Sequence, residues 1–159
     1  MMYSRLILSM GAALIALAAG GAVKADDDDV ALDKLPKAVL AAVKAKFPTL
    51  KVVKASKEEE DGKTVYEIEM KDGDRSVDAV FMTNGTLVQV EREIEASRLP
   101  KAVTAAVEAK FPKATLKKAE EVTEGDEVTY EVHLTTADQK SVAVTLNPKG
   151  KILETEKDD

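Results

Sequence analysis

Residues 35–48 read Leu-Pro-Lys-Ala-Val-Leu-Ala-Ala-Val-Lys-Ala-Lys-Phe-Pro, and residues 99–112 read Leu-Pro-Lys-Ala-Val-Thr-Ala-Ala-Val-Glu-Ala-Lys-Phe-Pro. Twelve of the fourteen positions are identical, at a constant offset of 64 residues. A match of this length indicates an internal duplication, which predicts two copies of one structural unit. The predicted units are residues 33–94 and 97–156, separated only by Glu95 and Ala96. With so short a connection, the units are expected to pack against each other or to continue one sheet.

The duplicated stretch has the pattern of an amphipathic helix. Apolar residues recur at every fourth position and alanines widen the apolar face. In the first copy these apolar residues are Leu35, Val39, Val43 and Phe47. Asp33 and Ser97 are capping-type residues at the start of each helix, Pro36 falls in the first turn, and Pro48 stops the first helix. Each unit is therefore expected to open with a helix of about three turns.

The remainder of each unit has the alternation of β-strands. Tyr66, Ile68 and Met70 alternate with acidic residues, and residues 130–134 repeat this pattern at the same offset. The predicted strands lie around residues 50–56, 66–70, 77–81 and 86–93, and around residues 114–119, 130–134, 142–146 and 151–156. Glycine-containing turns separate them. The predicted fold class is α+β, with two tandem α-β4 repeats, each a helix packed on a four-stranded antiparallel sheet.

The N-terminus has the pattern of a secretory signal peptide. Residues 1–25 combine a short basic region, an apolar run and a small-residue site ending at Ala25, which predicts cleavage there. The alternative is a retained anchor, because the apolar run is just long enough to span a bilayer. Residues 26–32 are then predicted to be an acidic disordered leader. The expected location is the periplasm or the exterior, and the absence of cysteine excludes lipid attachment through an N-terminal cysteine.

The charge of the chain limits its partners. The chain has 23 basic and 29 acidic residues, and loss of Arg5 and Lys24 with the signal leaves 21 basic ones, a net charge of −8. Nucleic acids and anionic lipids attract basic surfaces, so neither is an expected partner, and no membrane association is expected after cleavage. Without cysteine, stability must come from packing rather than disulfides.

Few residues suggest chemistry. The single histidine, His133, takes the outward strand position that Glu69 has in the first unit, and is interpreted as an exposed, replaceable residue. No nucleophile-elbow serine, thiol, Gly-rich phosphate loop or calcium-binding loop occurs. The acids singled out lie in predicted turns and at a terminus, as solvated charges: residues 26–29, 58–61, 72, 74, 120, 121, 124 and 126. No catalytic, cofactor or metal residue is therefore predicted, and the chain is not expected to be an enzyme.

The combined motifs resemble the PepSY-like domains, which are also described as β-lactamase-inhibitor-like. Leu-Pro-x-Ala-Val, Lys-Phe-Pro, Tyr-Glu-Val/Ile, a glycine turn and a closing Ile/Leu strand carry this resemblance across both units. The resemblance implies an exported protein with tandem α-β4 units, without known catalysis, of a kind proposed to restrain peptidases. The β-lactamase inhibitor protein uses disulfides and exposed aromatic residues, whereas this chain has no cysteine and its aromatic residues fall on predicted core positions.

The resulting prediction is a non-catalytic, exported binding or regulatory module. Its expected partner is an envelope protein or peptidase, met through a sheet face, the hairpin tips or an open sheet edge. The alternative is an acidic protein that binds or buffers a cation such as calcium. The sequence leaves the oligomeric state open.

Overall fold

The computed structural model describes residues 29–60 and 62–158. The predicted signal peptide and residues 26–28 lie outside this part of the chain. Two helices and eight strands are connected by short turns, and a 3-10 turn precedes each helix. The elements are α1 (Lys37–Lys46), β1 (Lys51–Glu60), β2 (Lys63–Asp72), β3 (Arg75–Met82), β4 (Leu87–Glu93), α2 (Lys101–Lys110), β5 (Thr115–Glu124), β6 (Glu127–Thr135), β7 (Ser141–Leu146) and β8 (Ile152–Asp158).

All eight strands belong to one sheet. They follow each other in chain order from β1 to β8, and each neighbouring pair is antiparallel. The two halves join where Gln89–Glu93 of β4 pair with residues 124–120 of β5. The prediction of an α+β fold with two repeated halves is confirmed. The two predicted four-stranded sheets join into one continuous sheet. Of the two arrangements that the short connection allowed, packing of two units against each other or continuation of one sheet, the structure has the second.

The helices begin later than their capping-type residues predicted. The residues at the N-caps are Pro36 and Pro100, whose carbonyl oxygens accept hydrogen bonds from Leu40 N and Thr104 N at 3.1 Å in both cases. Asp33 lies in the preceding 3-10 turn, without a capping hydrogen bond from a side chain. The prediction of Asp33 as a cap was wrong because the residue before a proline is driven out of helical geometry.

The ordered structure extends upstream of the predicted first unit. Val30 N donates to Ala55 O at 2.8 Å, as Ile94 N donates to Ala119 O at 2.9 Å in the second half. Asp29 also forms an ion pair with Lys54, at 2.8 Å. Asp29 and Val30, which the sequence assigned to a disordered leader, therefore lie against β1, and Val30 matches Ile94, which precedes α2.

Two apolar clusters form the core, one in each half. In the first, Val39 and Val43 of α1 join Ile68 of β2 and Phe81 of β3. In the second, Val103 and Val107 of α2 join equivalent strand residues. Val90 of the first cluster pairs directly with Thr123. Thr123 is four residues from Ala119 of the second cluster, an even separation that puts both on one face, so the helices lie on the same side of the sheet.

Helix α1 also approaches the β3–β4 hairpin closely. Gly85 has a φ of +83°, and a Cβ placed there would lie 2.6 Å from Ala38 O. Gly150 has the same relation to Ala102 in the second half. Glycine is therefore required at each position for two reasons: its backbone adopts a positive φ, and a Cβ atom would clash with the helix. Neither helix of the described chain has the length and apolarity to cross a bilayer.

Candidate functional site: the polar face of the sheet

The side of the sheet opposite the two core clusters carries charged and polar residues. We call this side the polar face. Because side chains alternate along a strand and directly paired residues share a face, the strand register places acids from four adjacent strands side by side. Asp78 of β3 pairs with Glu91 of β4, and Glu120 of β5 pairs with Glu131 of β6. The other members of the face used below are Ser56, Glu67, Gln89, Lys118, Val122, Thr129 and His133.

Glu120 is the centre of a buried ionic cluster. Its side chain is 5% exposed, and Lys118 Nζ lies 2.7 Å from its Oε1. His133 Nε2 lies 3.3 Å from Glu120 Oε2 and 3.1 Å from Glu131 Oε1. Two cationic or proton-donating groups therefore approach the two oxygens of one carboxylate. This set, Lys118, Glu120, Glu131 and His133, is called the Glu120 cluster below.

Two interpretations made from the sequence were wrong at this cluster. His133 is not an exposed residue, since only 8% of it is accessible, and its ring contacts two carboxylates. Glu120 does not lie in a turn as a solvated charge, because it is buried within β5. The turn interpretation does describe Asp72, Asp74 and Asp126, which are exposed at or beside hairpin turns.

The pKa values of three acids on this face, the partly buried Asp78 and Glu91 and the buried Glu120, are shifted in different directions. Burial first, and then the neighbouring charges of Glu120, Glu131 and Asp78, together raise the pKa of Glu91 to about 7. Burial also raises the pKa of Asp78 to about 6, followed in importance by the charge of Glu69. At Glu120 burial acts in the same direction, but hydrogen bonds from His133 and Lys118 outweigh it and lower the pKa. The pKa values of neighbouring carboxyl groups on this face are thus shifted in opposite directions.

A second buried acid lies on the first half of the face. Glu67 is 9% exposed and accepts a hydrogen bond from Ser56 Oγ at 3.4 Å. Burial first, and then the charges of Glu58 and Asp78, together raise its pKa to about 8. Glu67 corresponds to Glu131 at the 64-residue offset, while Ser56 corresponds to Glu120. The two halves therefore keep an acid at one position, buried as Glu67 in the first half and partly exposed as Glu131 in the second, whereas the ionic cluster belongs to the second half.

The face also contains two triads with the donor chemistry of a cation site. One is Asp78, Glu91 and Glu120, and the other is Glu120, Glu131 and His133. In each triad, every residue offers one oxygen or nitrogen ligand atom, and these three atoms lie within 4.8 Å of one another. Carboxylate oxygens suit calcium, magnesium and manganese, while an added imidazole nitrogen suits transition metals. Lys118 competes with any such cation, because its ammonium already neutralises Glu120.

The same pKa differences meet one requirement of acid–base chemistry, which the sequence had judged to be missing. The raised pKa of Glu91 suits a general acid and the lowered pKa of Glu120 suits a general base, as in a catalytic carboxyl pair. Both oxygens of Glu120 are, however, already engaged by Lys118 and His133. An apolar cavity of about 170 Å³ in the second half is lined by none of these acids. The arrangement supports charge pairing and recognition better than turnover.

Sequence reasoning missed Asp78 and Glu91 entirely. Each is a single acid in a strand whose apolar and polar residues alternate, so each has the pattern of an ordinary solvent-facing residue. The predicted order of antiparallel strands could have indicated that these acids meet. Neighbouring strands are only about 5 Å apart, so their outward residues form rows across the sheet. Placing the β4–β5 junction in one sheet would have shown that acids of both halves meet.

Comparisons with known proteins agree on the fold. A family model described as “beta-lactamase-inhibitor-like, PepSY-like” matches residues 21–89 and 64–154. A DUF2874 family protein from Bacteroides uniformis is 18% identical with a TM-score of 0.65, over 77% of this chain and 88% of that one. A Bacteroides eggerthii protein described as periplasmic is 17% identical, with the same TM-score and coverage. A BLIP-like protein from Bacteroides fragilis is 18% identical with a TM-score of 0.57, over 76% and 84%. The comparison with curated proteins gave no match.

Proposed function

Because the chain belongs to the PepSY-like, beta-lactamase-inhibitor-like family, we propose that it acts as a non-catalytic, exported module that binds and restrains an envelope protein, such as a peptidase. The family match across both halves carries this proposal. In it, residues 33–94 and 97–156 are two α-β4 units, each with its helix on its own part of the sheet. The partner is a protein because the family is inhibitor-like in type.

The polar face is the surface that we propose for the partner. The core clusters and both helices occupy the other side of the sheet. No helix of the described residues therefore covers the polar face. Asp78 and Glu91 resist ionisation because burial and neighbouring acids oppose a further negative charge. An arginine or lysine of a partner would relieve that repulsion and hold both carboxylates in their charged form. The proposed partner therefore presents a basic group to the β3–β4 strands.

Export is the second element of the proposal. The signal peptide over residues 1–25 is supported by its sequence pattern, and a protein of the same fold is described as periplasmic. Mass spectrometry of the protein purified from cell envelopes tests this directly. A chain that begins at Asp26 is expected, whereas a chain that retains residues 1–25 would contradict cleavage.

Binding is tested by comparing two added arginines. Thr129 lies on the polar face beside Val122, while Ala105 is exposed on α2. Immobilised wild type is expected to retain one or a few envelope proteins, with and without calcium. Thr129→Arg should reduce this retention at least about tenfold, the scale of 1.4 kcal/mol of lost binding free energy. Ala105→Arg should not. Equal retention by all three proteins would remove the polar face from the proposal.

Cation binding is a second candidate function, and the two triads around Glu120 are the observation that favours it. The cation would displace the protons of Asp78 and Glu91, whose pKa values are raised to about 6 and about 7. Binding should therefore strengthen as the pH rises from about 6 to 8.

Calorimetry with calcium, manganese and zinc separates the two functions. A site that exists only in the folded state must also raise the melting temperature, by an amount equivalent to about 2.7 kcal/mol at a cation concentration of 100 Kd. Glu120→Gln should abolish the effect, while Glu59→Gln, at an exposed position on β1, should leave it intact. A heat of binding that both variants retain would show that the cation binds elsewhere.

A further inference from the structure

The sheet has two outer strands, β1 at one end and β8 at the other. Backbone N–H and C=O groups along an outer strand can pair with a further strand, including one from a second copy of the same protein. Within the described residues, only Asp29 and Val30 pair with the outer side of β1, and no strand pairs with the outer side of β8. These two ends are therefore the places where a second copy could continue the sheet.

The duplication defines how such a continuation would pair. Strand β8 pairs with β7 as β4 pairs with β3, and β1 pairs with β2 as β5 pairs with β6, with register shifts at equivalent positions. Strand β8 is therefore the counterpart of β4, and β1 is the counterpart of β5. Since β4 pairs with β5 inside one chain, β8 of one copy has the backbone arrangement to pair with β1 of the next. We call this arrangement the end-to-end junction.

The charges of the end-to-end junction differ from those of the β4–β5 junction. Between β4 and β5, Arg92 faces the opposite charge of Glu121, while Glu93 faces Glu120, whose charge is compensated by Lys118. The same register transferred to β8 and β1 brings together like charges in three of its five pairs, namely Glu154 with Glu60, Glu156 with Glu58, and Lys157 with Lys57. Like charges directly opposite each other destabilise a pair of strands.

The apolar residues of the β4–β5 junction are replaced as well. Val90 of β4 and Val122 of β5 both take part in that junction, and Val90 is buried. Their counterparts in the outer strands are Thr155, which is exposed, and Glu58. Neither outer strand thus keeps the valine that its counterpart contributes to the pairing of the two halves.

The segment before α1 occupies part of the end-to-end junction. Asp29 pairs with Ser56, which is the position that Glu93 takes opposite Glu120 in the β4–β5 junction. A second copy would therefore find the backbone of Ser56 already paired. The part of β1 left to it is residues 57–60, and all three like-charge pairs fall within that part.

We propose that a second copy of this chain fits the outer strands by backbone register, and that the like charges of these strands prevent the end-to-end junction from forming. Charged side chains on outer strands are a known means by which proteins avoid pairing edge to edge. The wild-type protein is then a monomer whose sheet ends at β1 and β8. This inference concerns a second copy only, and it does not depend on the partner proposed above.

Charge reversal on β8 tests the proposal. The double variant Glu154→Lys, Glu156→Lys places lysines opposite Glu60 and Glu58 of the next copy. In sedimentation velocity at 0.1 M salt, wild type should remain monomeric, whereas the variant should associate at least about tenfold more tightly, the scale of 1.4 kcal/mol. Its assemblies should grow beyond dimers, because each added copy presents a new free end. The association should weaken at 1 M salt, where the Debye length falls from about 10 Å to about 3 Å.

Three further variants complete the test. Glu58→Lys with Glu60→Lys makes the same change on β1, should also associate, and replaces the β8 variant if that one does not fold. All four substitutions together restore like charges and should abolish association. Glu108→Lys with Asp126→Lys changes the net charge equally at exposed positions away from both outer strands, and should stay monomeric.

Several results would overturn the proposal. Wild type, the four-fold variant or the Glu108 and Asp126 control could associate as tightly as the β8 variant, which would show that the paired charges do not decide association. Folded β8 and β1 variants that both stay monomeric would show that a second copy does not fit the outer strands.

Crosslinking tests the register of the junction. Because the chain has no cysteine, Thr155→Cys and Glu59→Cys introduce its only two thiols, at positions equivalent to the paired Val90 and Thr123. In the β8 variant, a short bismaleimide should join these thiols into a ladder of linked chains. Moving the second cysteine from residue 59 to the exposed Ala105 of α2 should remove the ladder. Equal ladders from both pairs of cysteines would contradict the proposed register.

Discussion

Glu91→Gln is predicted to stabilise the protein at pH 8 and to have little effect at pH 5. The substitution keeps the shape of the side chain and removes its charge. Gln89 Nε2 donates a hydrogen bond to Glu91 Oε1 at 2.7 Å, and the amide oxygen of the new glutamine can accept the same bond. The variant therefore isolates the cost of an ionised carboxylate at this position of the polar face.

The magnitude follows from the raised pKa. Burial, with the charges of Glu120, Glu131 and Asp78, raises the pKa of Glu91 from 4.5 to about 7. The folded state then holds the proton more tightly than the unfolded chain, so this group stabilises the fold below pH 4.5 and loses that contribution as the pH rises through 7. Between pH 5 and 8 the loss is on the order of 2 to 3 kcal/mol. The variant does not incur this loss.

Urea unfolding at pH 5 and pH 8 measures the difference. The gain of Glu91→Gln over wild type should be larger at pH 8 than at pH 5 by about 2 to 3 kcal/mol, with an unchanged denaturant slope. Glu59→Gln, an exposed carboxyl on β1, serves as the matched control and should change the unfolding free energy by less than about 0.5 kcal/mol at either pH. A gain that is absent at pH 8, or equal at both pH values, would refute the account of the buried acids.

Two further predictions concern the fold. Gly85→Ala should lower the melting temperature more than Gly62→Ala does, because both glycines have a positive φ but only Gly85 faces the backbone of α1. The left-handed conformation alone costs roughly 1–2 kcal/mol at either position. Equal effects of the two substitutions would contradict the close approach of α1 to Gly85. Val43→Asp and Val107→Asp each bury an unpaired charge and should lower the unfolding free energy by roughly 4 kcal/mol or more. Ala41→Asp, exposed on α1, is the control, and circular dichroism that shows native melting for the valine variants would contradict the core.

The sequence predicted the fold class because its evidence was local and duplicated. The repeated helix, with Val39 and Val43 on one side, and the alternation around Tyr66 and Ile68 depend on periodicities that any single helix or strand displays. Continuity of the sheet could not be predicted in the same way. It depends on whether β4 and β5 pair, and the residues between them allow either packing of two sheets or continuation of one.

The polar face was hidden for a related reason. Alternation assigns Glu91, Glu120 and His133 to one side of their strands but says nothing about what lies beside them. Their burial arises from neighbours on adjacent strands, including pairs that cross from one half to the other. A side chain that looks solvated within its own strand is desolvated when acids and long side chains line up across four strands.

The measurement that tests the central proposal most directly is photo-crosslinking in the living cell. A photoreactive benzoylphenylalanine replaces Thr129 on the polar face, and in a matched variant it replaces Ala105 on the exposed side of α2. The account predicts a discrete crosslinked protein from position 129 and none from position 105. Crosslinks from position 105 alone, or from neither position in a correctly exported and folded protein, would contradict a protein-binding role for the polar face.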